Sequence, residues 1–152
     1  INESDIEDEV KTAIKWALLL HSMFLFIQFV AMIGFGVQLD YLYHITGEES
    51  RVIGGASDNI GVGFMFRPSG LHNEPGTYSS IILCLLVVYL LFRDYTIDYV
   101  AVLSIISVLM TFSSQGVLSV MVVIFVLSIY NFRSRLYVMF YFRYLLLLDI
   151  LY

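Results

Sequence analysis

From Trp16 to Leu39 the chain carries no formal charge, and His21, Gln28 and Gln38 are its only strongly polar residues. A helix needs about 20 predominantly apolar residues to cross the hydrocarbon layer of a bilayer. The run, extended back to about Thr12, exceeds that length. It is also too long for the apolar core of a signal peptide. A first membrane span over 12–39 is therefore expected.

The rest of the sequence supports the same class. Hydrophobic residues make up 59% of the chain and charged residues 14%, and mean hydropathy is +0.84. Soluble domains hold about 25% charged residues, because they must cover themselves with hydratable groups. Eleven Tyr and twelve Phe suit a protein that meets both hydrocarbon and headgroups. The single cysteine, Cys84, excludes an intramolecular disulfide and a thiolate metal cluster. The net charge of −5 reflects an acidic beginning, with Glu3, Asp5, Glu7, Asp8 and Glu9 close together, and no basic patch points to nucleic acid.

A polar stretch and four further apolar segments follow. Residues 40–74 form a polar stretch rich in Gly and Ser, expected as an extracytoplasmic loop in which Phe64-Met65-Phe66 folds back on the membrane surface. A second span is expected over 75–92, where Pro75 suits the first helical position because its missing N–H costs nothing there. A third runs over 96–112, with Asp98 one turn inside. A polar hairpin, Ser113-Ser114-Gln115-Gly116, leads to a fourth over 117–132. A last apolar segment, 136–152, is interrupted by Arg143 and Asp149 and reads as a partial fifth span. Continuous apolar runs without period-2 alternation argue against a β-barrel. The expected fold is an all-α, polytopic integral membrane bundle of about four or five spans. The start without Met and the end inside an apolar stretch suggest a piece of a longer protein.

Orientation follows from Lys and Arg in short loops. Lys11 and Lys15 precede span one, Arg93 follows span two, and Arg133 and Arg135 follow span four. Alternation puts all five on one side. The N-terminus is thus expected in the cytoplasm, with residues 40–76 and the 113–116 hairpin outside.

The densest reactive stretch is Arg67-Pro-Ser-Gly-Leu-His-Asn-Glu-Pro-Gly76, just before span two. Arg67 offers a planar fork for a phosphate or carboxylate. The start of the next helix offers unpaired N–H groups and partial positive charge. His72 or Glu74 is able to accept a proton. Each also has a plainer reading: Arg67 on lipid phosphate, Glu74 as a helix cap, His72 as a solvated loop residue. His21 and Gln28, seven apart on one face of span one, read as helix–helix hydrogen bonding in preference to a proton or lipid-phosphate path. Asp98 reads as interfacial. Ser104, Ser107, Ser119 and Ser128 read as support for close helix packing, and Gly34 and Gly36 as the same or as a kink.

The stretch RPSGLHNEPGTYSSIILCLLVVYLLF resembles the Arg-x-x-Gly-x-x-x-(Glu/Asn)-Pro segment of bacterial O-antigen and capsular polysaccharide polymerases of the Wzy type, in the O-antigen ligase/polymerase superfamily. TFSSQGVLSVMVVIFVL resembles the helical hairpin that follows it, and the likeness covers about residues 60–132. It implies a C-type, metal-independent, inverting glycosyltransferase in the bacterial inner membrane, without cofactor, that joins undecaprenyl-diphosphate-linked oligosaccharides for O-antigen, capsule or exopolysaccharide. A chain-length regulator and a flippase are the implied protein partners. Arg67 matches the arginine thought to contact the diphosphate. His72 and Glu74 are the candidate proton acceptors, and Ser69, Gly70, Asn73, Ser113 and Ser114 the candidate substrate contacts. The sequence departs from the pattern at Gln115, where many relatives carry a basic residue. The superfamily's ligases are the alternative enzyme, and a polysaccharide flippase is the non-enzymatic one.

Overall fold

The computed structural model describes residues 3–47 and 67–130. The expected course of residues 48–66, the arginines at 133 and 135, and the partial span at 136–152 lie outside the described residues. Two compact units, 1–120 and 121–152, make up the chain; the bundle described below belongs to the first.

The described residues are helical, with no strand among them. Helix α1 spans Glu3–Phe35, so it starts well before the apolar run expected at about residue 12. The early acidic residues sit where the helix dipole favours negative charge. Its end is set by Gly36, whose φ of +66° only glycine adopts without strain. The Gly36 N–H donates to the Met32 carbonyl at 3.0 Å and the Val37 N–H to that of Ala31 at 3.1 Å. A Cβ placed on Gly34 or Gly36 would meet nothing within 4 Å, so these glycines do not serve close packing; Gly36 stops the helix. A short helix α2, Tyr41–Thr46, follows, capped by Asp40, whose side chain accepts from the Tyr43 N–H at 3.0 Å.

Helix α3 spans Pro75–Leu91 and α4 spans Tyr99–Met110. A last described helix, α5, covers Ser114–Tyr130, and its final ten residues fall in the second unit. The α3–α4 turn places two non-glycine residues in the left-handed region, Asp94 (φ 49°) and Tyr95 (φ 59°), which lets the Tyr95 N–H reach the Leu90 carbonyl at 2.8 Å. Asp98 is more than interfacial. It is the N-cap of α4, with Oδ1 accepting from the Ala101 N–H at 3.0 Å and Oδ2 from the Tyr89 hydroxyl at 2.7 Å.

Helices α1, α3 and α4 pack against one another in all three pairs. Lys15 lies 5.7 Å from the centre of the Tyr99 ring, and Ser22 bonds Ser107, so α1 and α4 run in the same direction. Tyr89 meets Asp98 while Tyr78 meets Ser107, so α3 runs the opposite way. Arg93, 3.6 Å from Asp98, therefore shares the Lys15 end of the bundle. At the other end Gly116 closes the approach of α5 to α3. A Cβ there would stand 2.6 Å from Ser79 Oγ and 3.1 Å from Val108 Cγ1.

The core holds Leu18, Leu25, Tyr78, Ile82, Leu86, Val100 and Val108 with no exposed surface. Polar residues join them inside: Ser22, Gln28, Ser79, Ser104, Ser107 and Thr111 are all buried. Large apolar side chains instead face outward, among them Trp16, Leu20, Met23, Ile27 and Val30 along one stripe of α1. Water rewards the reverse arrangement. The packing role expected of the serines holds for Ser104 and Ser107. Ser119 is half-buried, and Ser128 is exposed and bonds only back to the Ile124 carbonyl of its own helix.

Within α1, Ser4–Phe35 is long and apolar enough to cross a membrane, with a hydropathy of 2.1 and only 22% of the apolar window buried. It is the one such helix among the described residues. Its length stands in contrast to α3 and α4. At about 1.5 Å per residue, the 17 residues of α3 extend about 25 Å and the 12 of α4 about 18 Å, against a hydrocarbon layer of about 30 Å.

Candidate functional site

The segment 67–74 is expected on an outer loop. It is drawn into the bundle: Pro68, Ser69 and Gly70 are buried, and Arg67, His72, Asn73 and Glu74 are half-buried. Buried backbone needs hydrogen-bond partners, and one side chain of α1 supplies them. Gln28 Oε1 accepts from the N–H groups of Ser69 at 3.0 Å and Gly70 at 2.9 Å. Its Nε2 donates to the Leu39 carbonyl at 2.7 Å. A single amide thus ties the segment that leaves α1 to the segment that enters α3. Gln28 therefore holds a loop, a role different from the helix–helix hydrogen bonding its sequence position suggested.

Gly70 is required twice over. Its φ is +59°, and a Cβ would stand 3.1 Å and 3.3 Å from two ring carbons of the buried Tyr78. The Tyr78 hydroxyl donates to Ser107 Oγ at 2.9 Å, and Ser107 Oγ donates to the Ser104 carbonyl at 2.8 Å. The loop is thus seated against a ring that α4 fixes in place.

His72 completes the contact with α1. Its ring stacks on that of His21 with centroids 5.1 Å apart and planes 17° from parallel, and Tyr78 meets it edge-on at 5.6 Å. Burial, helped by the neighbouring His21, holds the His72 imidazole below its ordinary pKa. His72 is thus neutral at pH 7, the form able to accept a proton.

Most buried polar atoms find partners. In this segment many do not. Arg67 Nε, Ser69 Oγ, His72 Nε2 and Asn73 Oδ1 are buried with no hydrogen-bond partner, as are His21 Nδ1 on α1 and Tyr41 Oη on α2. Tyr41 packs edge-on to Phe24, one turn of α1 beyond His21. Among the described residues these are the only such side-chain atoms, and four of the six lie within 67–73. Leaving a buried group unsatisfied costs about 1–3 kcal/mol, so their concentration marks a place built for something other than packing.

The second group of expected contacts, Ser113 and Ser114, begins α5. Ser113 is buried and its Oγ accepts from the Gly116 N–H at 3.4 Å, while Ser114 is exposed. Gln115 Nε2 donates to Ser80 Oγ at 3.0 Å, and Ser113 Oγ and Gln115 Oε1 both flank Gly76. The hairpin therefore meets the first turn of α3, the helix on which the 67–74 loop also rests. Glu74 is the N-cap of α3, the position its plainer reading gave it, and its side chain makes no cap hydrogen bond there. The docking of the loop was missed in the sequence for a simple reason: Gln28 and Ser69 are 41 residues apart, and nothing local to either announces the other.

No family model matches the chain, and no curated protein or solved structure matches it.

Proposed function

We propose that this chain is part of a multi-pass bacterial inner-membrane glycosyltransferase that polymerises undecaprenyl-diphosphate-linked oligosaccharides on the outer face of the membrane. The observation that carries the reading is the Arg67-Pro-Ser-Gly-Leu-His-Asn-Glu-Pro75 stretch, which resembles the polymerase segment and forms a docked, polar-atom-rich loop running into α3. Membrane placement draws support from the inverted packing, with serines and Gln28 inside and a stripe of large apolar residues outside. It also draws support from Lys15 and Arg93 sharing one end of the bundle while the loop occupies the other.

In this reading an acceptor hydroxyl attacks the anomeric carbon of the lipid-linked sugar with inversion. The bond from that carbon to the diphosphate oxygen breaks, and the departing diphosphate gains negative charge. Arg67 stabilises that charge, an electrostatic contribution that grows towards the transition state. The hydroxyl proton passes to His72, whose neutral imidazole has a free nitrogen, or to Glu74. Ser69, Asn73, Ser113 and Ser114 contact sugar or phosphate, and Gly70 sets the backbone path.

The test is complementation of a polymerase-deficient strain with the intact gene carrying Arg67→Ala, read as the length distribution of surface polysaccharide. The expected result is loss of long chains with the protein still present in the membrane. Long polymer at normal abundance from the Arg67→Ala gene refutes the assignment.

A further inference from the structure

The loop on which the proposed reaction depends is held on α1 partly by two stacked imidazoles, and its docking has to be compatible with their charge state. A protonated imidazole carries an N–H on both ring nitrogens and needs two acceptors. Here His21 Nδ1 and His72 Nε2 are each buried with no partner. Charging either ring would therefore leave a buried, unpaired cationic N–H. Charging both would set two like charges 5.1 Å apart, face to face.

From this arrangement we infer that the 67–74 loop is a pH-sensitive latch, closed on α1 while the His21–His72 pair is neutral and released when the pair takes up protons. It regulates the same site as the proposed reaction, and it rests on that reading for its effect on activity but not for the motion itself.

The surroundings offer the charged pair little help. From α1 the nearby polar residue is Gln28, whose amide is already committed to three bonds. From α2 comes Tyr41, neutral at physiological pH. From α3 comes Tyr78, whose hydroxyl donates away to Ser107. From α4 come Ser104 and Ser107, which are uncharged. The loop itself brings Arg67, which opposes protonation, and Glu74, two residues from His72, which favours it. Arg67 travels with the loop, whereas Glu74 stays with α3 as its N-cap, its carbonyl accepting from the Tyr78 N–H at 3.1 Å.

The direction follows from linkage. Burial lowers the pKa of His72 in the docked state, so the docked state binds fewer protons than the released one. Docking is at full strength above the ordinary imidazole pKa of about 6.5 and weakens as pH falls below it. Between pH 7.5 and 5.0 the released population rises by up to about 30-fold for each imidazole that stays neutral when docked.

The experiment uses the full-length protein in lipid nanodiscs, without saccharide, carrying Cys84→Ser and Ser69→Cys. Position 69 has no exposed surface when docked. Maleimide labelling is measured at pH 7.5 and 5.0, each rate divided by that of the unfolded chain at the same pH to remove the thiol's own ionisation. The expected result is protection at pH 7.5 and at least a tenfold higher normalised rate at pH 5.0. Adding His21→Phe and His72→Phe, which keeps a ring stack without titrating nitrogens, should bring the ratio to about one. If that pair of substitutions unfolds the protein, His72→Phe alone should cut the response on a logarithmic scale by about half. Equal normalised rates at the two pH values, or an undiminished response after the histidine replacements, overturns the latch. Long polymer made by Arg67→Ala would overturn the enzymatic reading and leave this measurement standing.

Discussion

Replacing Gln28 with leucine removes three hydrogen bonds while keeping a side chain of similar size. The Ser69 and Gly70 N–H groups, bonded to Gln28 at 3.0 and 2.9 Å in a fully buried setting, lose their acceptor, and the Leu39 carbonyl loses a donor in a half-buried one. Two buried N–H groups left unsatisfied cost about 2–6 kcal/mol together. Leucine is better suited than an amide to an apolar site, which returns about 1–2 kcal/mol of that. The remaining loss of about 1–4 kcal/mol falls on the docked loop, because the other buried residues of α1 keep their neighbours. Native-state hydrogen exchange by mass spectrometry reads it directly: peptides covering 67–74 should exchange about 5- to 1,000-fold faster, while α3 and α4 change little. Gln28→Glu separates the two halves of the clasp. It keeps the acceptors for Ser69 and Gly70 but turns a donor into a second oxygen facing the Leu39 carbonyl, so the 37–42 region should loosen more than 67–74. Unchanged exchange at 67–74 in Gln28→Leu would show that the amide does not hold the loop.

Gly116→Ala should destabilise by about 1–3 kcal/mol through overpacking, since its Cβ meets Ser79 Oγ at 2.6 Å. Adding Ser79→Ala should recover part of this in a thermal-unfolding cycle, and strict additivity of the two changes would count against the contact. Asp98→Ala should cost about 1–2 kcal/mol by removing the α4 cap and the partner of the Tyr89 hydroxyl. Asp98→Asn keeps the cap and should lose less, so equal losses in chemical denaturation would argue against capping. Asp94→Gly should raise the unfolding midpoint, because φ of 49° costs a non-glycine residue about 1 kcal/mol. A lower midpoint would contradict the strained turn.

The local parts of this fold are written plainly in the chain. Pro75-Gly76 after a polar stretch announces the start of α3, and Pro75 is indeed its first residue. The small serines of α4 announce an inward face, and Ser104 and Ser107 lie on it. Two kinds of information were not legible. Helix ends set by backbone geometry were misjudged: α1 reaches back to Glu3 because its acidic residues suit a helix start, and it halts at Gly36 although the apolar pattern continues to Leu39. Long-range partners were invisible. His21 and Gln28 are seven apart and so share a face, which the sequence states, but that face receives a loop arriving some forty residues later. Composition makes such a loop read as exposed, because Arg, Ser, His and Asn usually seek water. An amide placed inside α1 reverses that preference by offering the backbone what water would have offered.

Because Gln28 grips Leu39 on one side and Ser69 and Gly70 on the other, a substitution at position 28 is felt at once in two stretches far apart in the sequence. Few neutral side chains offer an acceptor and a donor so close together, so change at this position meets a narrow choice of residues.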